Sequence, residues 1–256
     1  MNQHKSSSQL KSIAKGRLLG HYSTLIGATF IYLLIVEAIS MVVASISDLT
    51  TMAGTVLYTV ILMIVQILCS VFILGQNYMY LIFGRGGQCR FWHIFQGFKT
   101  TPDKAILAYL LLMVIEFICV LPAFLSILFI TYIYYTPALM MFVSFCAVIS
   151  IVAYYYVYLR FALVMYLLVD YPDMSVIELF KASNEMMKGN KARLFYIMVS
   201  FIPIILLGIG SIGIGLLFLT PYMQMTYVQF YLDIQNCNHP NIQPMANQPT
   251  VNQPIM

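Results

Sequence analysis

Long runs of apolar residues, separated by short polar segments, dominate the chain. A helix that crosses a membrane needs about 20 mainly apolar residues, and four runs reach that length. The four predicted spans lie at residues 24–46, 55–83, 105–129 and 138–160. The third is preceded by Thr101-Pro102, and a polar residue before a proline at the first helical position is a favourable helix start.

A fifth apolar stretch, residues 194–232, is too long for one straight span. As a helix it would extend about 58 Å at 1.5 Å per residue, against a hydrocarbon core of about 30 Å. The glycines between Gly208 and Gly215 predict a bend in its middle. We therefore expect two short spans, 194–207 and 213–232, and about six spans in all. One span ending near Leu219, which would make five, is the alternative.

The composition supports a membrane protein. Apolar residues make up 61% of the chain and charged residues only 9%, against about 45–50% and about 25% in an average soluble domain. So few charges cannot cover the water-facing surface of a soluble protein of 256 residues. The expected fold is therefore all-α, a polytopic helical membrane bundle. Nucleic-acid binding is excluded as the main function.

Basic residues are concentrated on one side of the predicted spans. Twelve of the thirteen precede span one or lie between spans two and three or four and five: Lys5, Lys11, Lys15, Arg17, Arg85, Arg90, Lys99, Lys104, Lys181, Lys188, Lys191 and Arg193. Positive charge collects in cytoplasmic loops, so we expect the N-terminus inside and, with six spans, the C-terminus inside too. The remaining basic residue, Arg160, is expected at headgroup level.

The polar segments predict short helices on this cytoplasmic side. The N-terminal segment, residues 1–21, is amphipathic and predicts an interfacial helix on the inner leaflet. Its apolar face is formed by Leu10, Ile13, Ala14, Leu18 and Leu19.

A second short helix is predicted over residues 176–188. It opens with the capping box Ser175–Glu178 and ends at Gly189. The Asn-, Gln- and Pro-rich segment 235–256 predicts a disordered tail after the membrane domain, residues 22–234.

No sequence pattern supports an enzyme. Metalloprotease, nucleophile-elbow and phosphate-loop motifs are all missing from the sequence, so we expect no catalytic residues and no cofactor. Cys237 lies two residues before His239, but the sequence supplies no further ligands beside them, and we expect no metal site.

Two carboxylates fall inside predicted spans, Glu37 in the first and Glu116 in the third. Burying a carboxylate in a membrane is unfavourable, so such residues are candidates for function by default. The two acids could share a proton or a cation, as in a small transporter. Alternatively, each is a protonated or hydrogen-bonded residue that joins helices. Gln66, Gln76, Asn77 and Gln224 are further polar residues that could join helices or line a polar path.

Several motifs resemble a known family, the bacterial integral membrane proteins called domain of unknown function 975. The resemblance covers about residues 10–234. Its motifs are Leu10–Tyr22, Phe95-Gln96-Gly97-Phe98, Asp170–Ser175, Ser183–Lys191, Pro221-Tyr222 and Phe230-Tyr231. It implies a bacterial cytoplasmic membrane location and no assigned reaction. The family is also distantly similar to the membrane portion attached to some glycerophosphodiester phosphodiesterases, whose catalytic half is missing from this sequence.

The family-like motifs fall mainly on the predicted cytoplasmic face. Gly97, Phe98, Lys188, Gly189 and Lys191 form a candidate binding motif there, and Pro221-Tyr222 lies in the last predicted span. We expect a non-catalytic module that interacts with a membrane protein partner or with lipid, in particular anionic lipid at the cytoplasmic face. A small transporter or efflux protein that uses Glu37 and Glu116 is the alternative.

Overall fold

The computed structural model describes residues 4–88, 90–132, 136–211 and 214–238. Those residues form α-helices joined by short turns, without a β-strand among them, which confirms the all-α fold. The α-helices are α1 (Ser7–Leu18), α2 (Tyr22–Ile46), α3 (Met52–Arg85), α4 (Gln96–Lys99), α5 (Pro102–Tyr132), α6 (Pro137–Phe161), α7 (Val164–Asp170), α8 (Val176–Met186), α9 (Lys191–Val199), α10 (Ile202–Gly210) and α11 (Ile214–Asn238). A short 3-10 helix, Phe91–Phe95, precedes α4.

Five of the described helical segments are long and apolar enough to cross a membrane. They are Tyr22–Ile46, Met52–Arg85, Pro102–Ile127, Pro137–Asp170 and Lys191–Gly210. The fourth combines α6 with α7, and the fifth combines α9 with α10. The chain is therefore a multi-pass membrane protein by the length and composition of its helices.

The sixth predicted span, 213–232, falls in α11, which is not one of the five. The expected bend is present, since α10 ends at Gly210 and α11 begins at Ile214. However, α11 carries buried polar side chains, including Thr226, Gln229 and Asp233. Helix length and apolarity therefore give five candidate spans, because these polar side chains make α11 less apolar. Yet α11 runs back alongside α10 and α9, since its Leu216 lies against Gly208 and its Asp233 pairs with Arg193. Its end thus returns to the side of the bundle from which α9 starts.

Charged side chains join several helix ends at one end of the bundle. Arg85 at the end of α3 pairs with Asp170 at the end of α7. Arg193 near the start of α9 pairs with Asp233 near the end of α11. The Lys104 ammonium, at the start of α5, donates to the carbonyls of Pro172 and Met174. We call the region formed by residues 4–21, 85–104, 170–193 and 233–238 the basic end.

The best-packed part of the core lies toward the basic end. There the last turns of α3 are buried, including Met79, Leu81 and Phe83. Far from it, large apolar side chains such as Val42 of α2 and Met141 of α6 are exposed. In a membrane protein such side chains meet lipid, which is as apolar as they are.

The N-terminal helix α1 packs against protein. Leu10, Ala14 and Leu18 of its predicted apolar face are fully buried, and they belong to the same core cluster as residues of α11 and α3. Leu19 is 68% exposed because the helix ends before it. The face expected to lie on the inner leaflet is therefore covered largely by the protein's own helices.

The predicted start of α8 is observed. Ser175 accepts a hydrogen bond from the Glu178 backbone N–H, and the Glu178 carboxylate accepts from the Ser175 N–H at 2.8 Å. The hydrogen bonds that the Ser175 backbone N–H and hydroxyl donate to the Glu178 carboxylate lower its pKa. The helix ends at Met186, and Gly189 follows with φ of 77°. Residues 235–238 of the predicted tail continue α11 instead; residues 239–256 lie outside the described part of the chain.

Candidate functional site

A polar cavity of about 290 Å³ lies between α3, α5, α6, α7 and α11. Its polar lining consists of one carboxylate, two amides and three tyrosines, and the remaining walls are mainly apolar. The polar residues are Asn77, Tyr109, Glu116, Tyr158, Tyr166 and Gln224. A concave, mostly apolar space with a few convergent polar groups is the usual form of a small-molecule site.

The cavity lies well inside the bundle. Glu116 follows the start of α5 at Pro102 by about 21 Å of helix, and Asn77 precedes the end of α3 at Arg85 by about 12 Å. Both starting points belong to the basic end. The cavity thus occupies a depth that corresponds to the hydrocarbon core of a bilayer about 30 Å thick.

Hydrogen bonds fix part of the cavity wall. Tyr166 donates from its hydroxyl to the Gln224 amide oxygen at 3.3 Å, which links α7 to α11. Tyr109 donates to Gln66 at 3.3 Å, which links α5 to α3. Within the described residues, the Glu116 carboxylate has no hydrogen bond and no ion pair.

The two acids predicted to form one site are placed differently. Glu116 is half-buried and lines the cavity. Glu37 of α2 is exposed and is not one of the lining residues. Of the polar residues noted as a candidate path, Asn77 and Gln224 do line the cavity, whereas Gln76 donates to the Ala28 carbonyl of α2. The structure therefore builds the site around Glu116.

A second polar cluster, at the basic end, is structural. Arg85 binds Asp170 through two parallel hydrogen bonds of 2.9 and 2.6 Å. Tyr231 donates to the same carboxylate at 2.7 Å, and Gln235 donates to it at 3.3 Å. Asp170 is completely buried. Such a doubly bonded, buried pair ties α3, α7 and α11 together.

Gly97 of the predicted cytoplasmic motif has a packing role. A Cβ on Gly97 would overlap the Val71 carbonyl of α3, so only glycine allows α4 to approach this closely. Phe98 is exposed in part and its ring stands edge-on to Phe72 at 4.9 Å.

The remaining motif residues divide between surface and core. Lys188 and Gly189 are exposed, while the Lys191 ammonium lies 4.3 Å from the centre of the Tyr156 ring. Pro221 is buried within α11, and Tyr222 stands edge-on to Phe201 at 5.4 Å. The structure thus leaves Lys188 and Gly189 accessible, buries Pro221, and places Tyr222 against Phe201 at the start of α10.

The basic residues fall into two groups. Some are bound by other groups of the protein, as Arg85, Lys104 and Arg193 are. Lys11 belongs with them, since its ammonium lies 4.0 Å from the Phe201 ring centre and burial lowers its pKa. Others are exposed at the basic end: Lys5, Lys15, Arg17, Arg90, Lys99, Lys181 and Lys188. This second group is accessible to an anionic surface.

The tyrosines of the cavity are the lining residues that the sequence did not assign to a site. Tyr109, Tyr158 and Tyr166 belong to none of the family-like motifs. The sequence feature that could have pointed to them is a tyrosine on a predicted helix at membrane depth, where a nearby helix carries an acid or an amide. That signal is weak, because 19 tyrosines occur in the chain.

These features define a class: a multi-pass helical membrane protein with a polar cavity between its helices and a charged, well-packed end. The family model described as "Protein of unknown function (DUF975)" matches residues 1–238. The chain belongs to that family, as the motifs predicted. Neither a curated protein nor a solved structure matches it.

Proposed function

We propose that the protein is a non-catalytic membrane protein that binds a lipophilic ammonium cation in the cavity around Glu116. The observation that carries the proposal is the Glu116 carboxylate, which lines the cavity without a cationic partner among the described residues. A carboxylate at such a depth must pair, face water or stay protonated. An ammonium ion would supply the missing partner.

The other lining residues suit the same ligand class. Ammonium groups bind the faces of aromatic rings, at about 0.5–2 kcal/mol for each contact, and three tyrosines line this cavity. Ile73, Leu112 and Met113 offer apolar surface for a hydrocarbon portion. The amides of Asn77 and Gln224 can accept or donate a hydrogen bond to a polar substituent.

Binding of benzyltrimethylammonium to the purified protein in lipid nanodiscs tests this proposal. The matched ligand is neopentylbenzene, which has the same shape with carbon in place of the charged nitrogen. We expect Glu116→Gln to weaken binding of the cation at least tenfold, which corresponds to about 1.4 kcal/mol. Binding of the neutral compound should change little, because it has no charge to lose.

Glu37→Gln is the matched control, since it removes a carboxylate from a candidate span without touching the cavity. It should bind the cation as the wild type does. The proposal is wrong if Glu116→Gln binds the cation normally while remaining folded, or if Glu37→Gln loses affinity to the same extent.

Transport of the same cation is a second candidate function. The supporting observation is that the cavity adjoins an interruption between α6 and α7, with Phe161, Ala162 and Met165 all in its wall. Transporters use broken helices at their binding sites. Pro221 breaks the hydrogen-bonding pattern of α11 close to Gln224, which also lines the cavity.

Uptake of labelled benzyltrimethylammonium into proteoliposomes separates transport from binding. Transport predicts uptake above protein-free liposomes that Glu116→Gln abolishes. A wild-type protein that binds the cation but gives no uptake, with or without an imposed pH gradient, would contradict transport and leave the binding function in place.

The basic end provides the orientation in this proposal. We propose that it faces the bacterial cytoplasm, with both ends of the described chain on that side. Its exposed lysines and arginines would then contact anionic lipid, at about 1 kcal/mol for each residue near the surface. The accessible Lys188-Gly189 segment is where a membrane protein partner would dock.

A further inference from the structure

Three side chains that bind metals gather at the basic end, away from the cavity. His4 precedes α1, whereas Asp233 and Cys237 belong to α11. Their imidazole, carboxylate and thiol donor atoms all lie within 4.8 Å of one another. Because Asp233 and Cys237 are four residues apart in a helix, their side chains share one face. The two ends of the described part of the chain thus meet at one point.

The spacing matches a tetrahedral zinc site. Zinc lies about 2.0–2.2 Å from imidazole nitrogen and carboxylate oxygen, so two such ligands at a tetrahedral angle are about 3.4 Å apart. His4 Nδ1 and Asp233 Oδ2 are 3.3 Å apart. Cys237 Sγ lies within 4.8 Å of both atoms. Because sulfur binds zinc at about 2.3 Å, its tetrahedral spacing from the other two ligands is about 3.6 Å, so the Cys237 side chain turns toward them when the metal binds.

The neighbouring groups hold the carboxylate in place. Arg193 donates to Asp233 Oδ2 at 2.7 Å, and the Lys5 backbone N–H donates to Asp233 Oδ1 at 3.2 Å. A carboxylate has about four lone-pair positions, so these contacts leave room for a metal. Groups that orient a ligand in this way typically raise metal affinity 10–100-fold.

An ion can reach the cluster from solvent. The Asp233 side chain is only 4% exposed, but the His4 side chain is 38% exposed. Rotation of the imidazole therefore opens a path to the buried carboxylate. His239, the residue noted beside Cys237 in the sequence, lies outside the described residues, and the site does not depend on it.

We propose that His4, Asp233 and Cys237 bind a divalent zinc ion, with water as the fourth ligand. Thiolate and imidazole donors favour zinc over magnesium or calcium, which prefer oxygen ligands. The Cys237 thiol releases its proton to solvent when the metal binds. The ion would clamp the N-terminal segment to the end of α11 and, through Arg193, to α9.

Cobalt substitution tests this site directly. Full-length protein, with any affinity tag removed and stripped with a chelator, is titrated with Co²⁺, which gives a thiolate-to-cobalt charge-transfer absorption when a cysteine binds it. We expect one equivalent of Co²⁺ to produce this band and Zn²⁺ to displace it. Zn²⁺ should also raise the thermal unfolding temperature, because it binds the folded protein.

Two variants test which residues bind the cobalt ion that produces the absorption band. Cys237→Ser should abolish it, and His4→Gln should weaken binding at least tenfold. Cys146→Ser, which changes a cysteine in α6, is the matched control and should keep the band. Both test residues lie close to the ends of the described helices, so we expect helical circular dichroism to be unchanged.

The inference is wrong if Co²⁺ gives no thiolate band with the wild type, or if the band survives in Cys237→Ser. It is also wrong if Zn²⁺ stabilises Cys237→Ser as strongly as the wild type. Ammonium binding at Glu116 is measured separately, so failure of one site leaves the other to be judged independently.

Discussion

At the residue scale, Asp170 is the most constrained charge in the described structure. Its carboxylate is fully buried and accepts hydrogen bonds from Arg85, Tyr231 and Gln235. The guanidinium of Arg85 is itself only 12% exposed. Replacing one partner of such a pair leaves a buried charge uncompensated, which costs about 3–5 kcal/mol.

We expect Asp170→Asn to destabilise the protein by about 3–5 kcal/mol, because Arg85 would lose its counter-charge. Denaturation of the purified protein in mild detergent measures the difference. Asp173→Asn, an exposed position in the same loop, is the control and should unfold like the wild type. If Asp170→Asn and Asp173→Asn were equally stable, the Arg85–Asp170 pair would make no measurable contribution to the free energy of unfolding.

At the element scale, the close approach of α3 to the segment that follows it depends on two glycines. A Cβ on Gly75 would overlap the Ile94 carbonyl, and one on Gly97 would overlap the Val71 carbonyl. Since both obstacles are backbone atoms, no side-chain rotation can relieve the clash. The contact positions the 3-10 helix and α4, and with them the start of α5.

We expect Gly75→Ala to lower the free energy of unfolding by about 1–3 kcal/mol, the usual cost of overpacking. Gly16→Ala is the matched control: nothing lies within 4 Å of a Cβ there, and α1 should gain up to about 1 kcal/mol from the better helix former. Thermal unfolding of the two variants should therefore shift in opposite directions. A shift in the same direction would contradict the packing role of Gly75.

At the scale of the whole molecule, charge and packing are both concentrated at one end. The basic end holds the ion pairs Arg85–Asp170 and Arg193–Asp233 and much of the buried core, while the far ends of α2 and α6 expose apolar side chains. This asymmetry agrees with a cytoplasmic basic end.

Cysteine labelling tests the orientation of the whole molecule. In a variant whose five native cysteines are replaced by serine, Thr50→Cys or Lys188→Cys is exposed to a membrane-impermeant maleimide in intact cells. Both positions are exposed. We expect labelling at position 50 in intact cells and at position 188 only after permeabilisation, since positive segments stay inside. The reverse pattern would overturn the orientation.

Local patterns predicted much of the helical framework. Pro102 begins α5, the Ser175 capping box begins α8, and the glycines after Gly208 end α10, because capping and chain reversal depend on neighbouring residues. The length and apolarity of the runs in the sequence were enough to distinguish the candidate spans from the segments between them. The exception is α11, which the sequence predicted as a span but which is less apolar than the other five, because it carries polar side chains that are buried against other helices.

The site was predicted only in part. Glu116 stood out because a carboxylate in an apolar run is unusual at any position. Its association with Glu37 was expected from their similar depth, but depth does not specify the direction in which a helix faces. The structure instead brings Tyr158 and Gln224 to Glu116, from helices far apart in the chain.

By itself, the sequence determined that this is a helical membrane protein of its family, with its basic residues in three segments. Those properties follow from composition and from interactions between near neighbours. Only the tertiary structure decided that Glu116 lines a cavity without Glu37, that Arg85 meets Asp170, and that His4 meets Asp233. Such meetings depend on how whole helices pack and rotate against one another, which is set by the sum of many distant contacts.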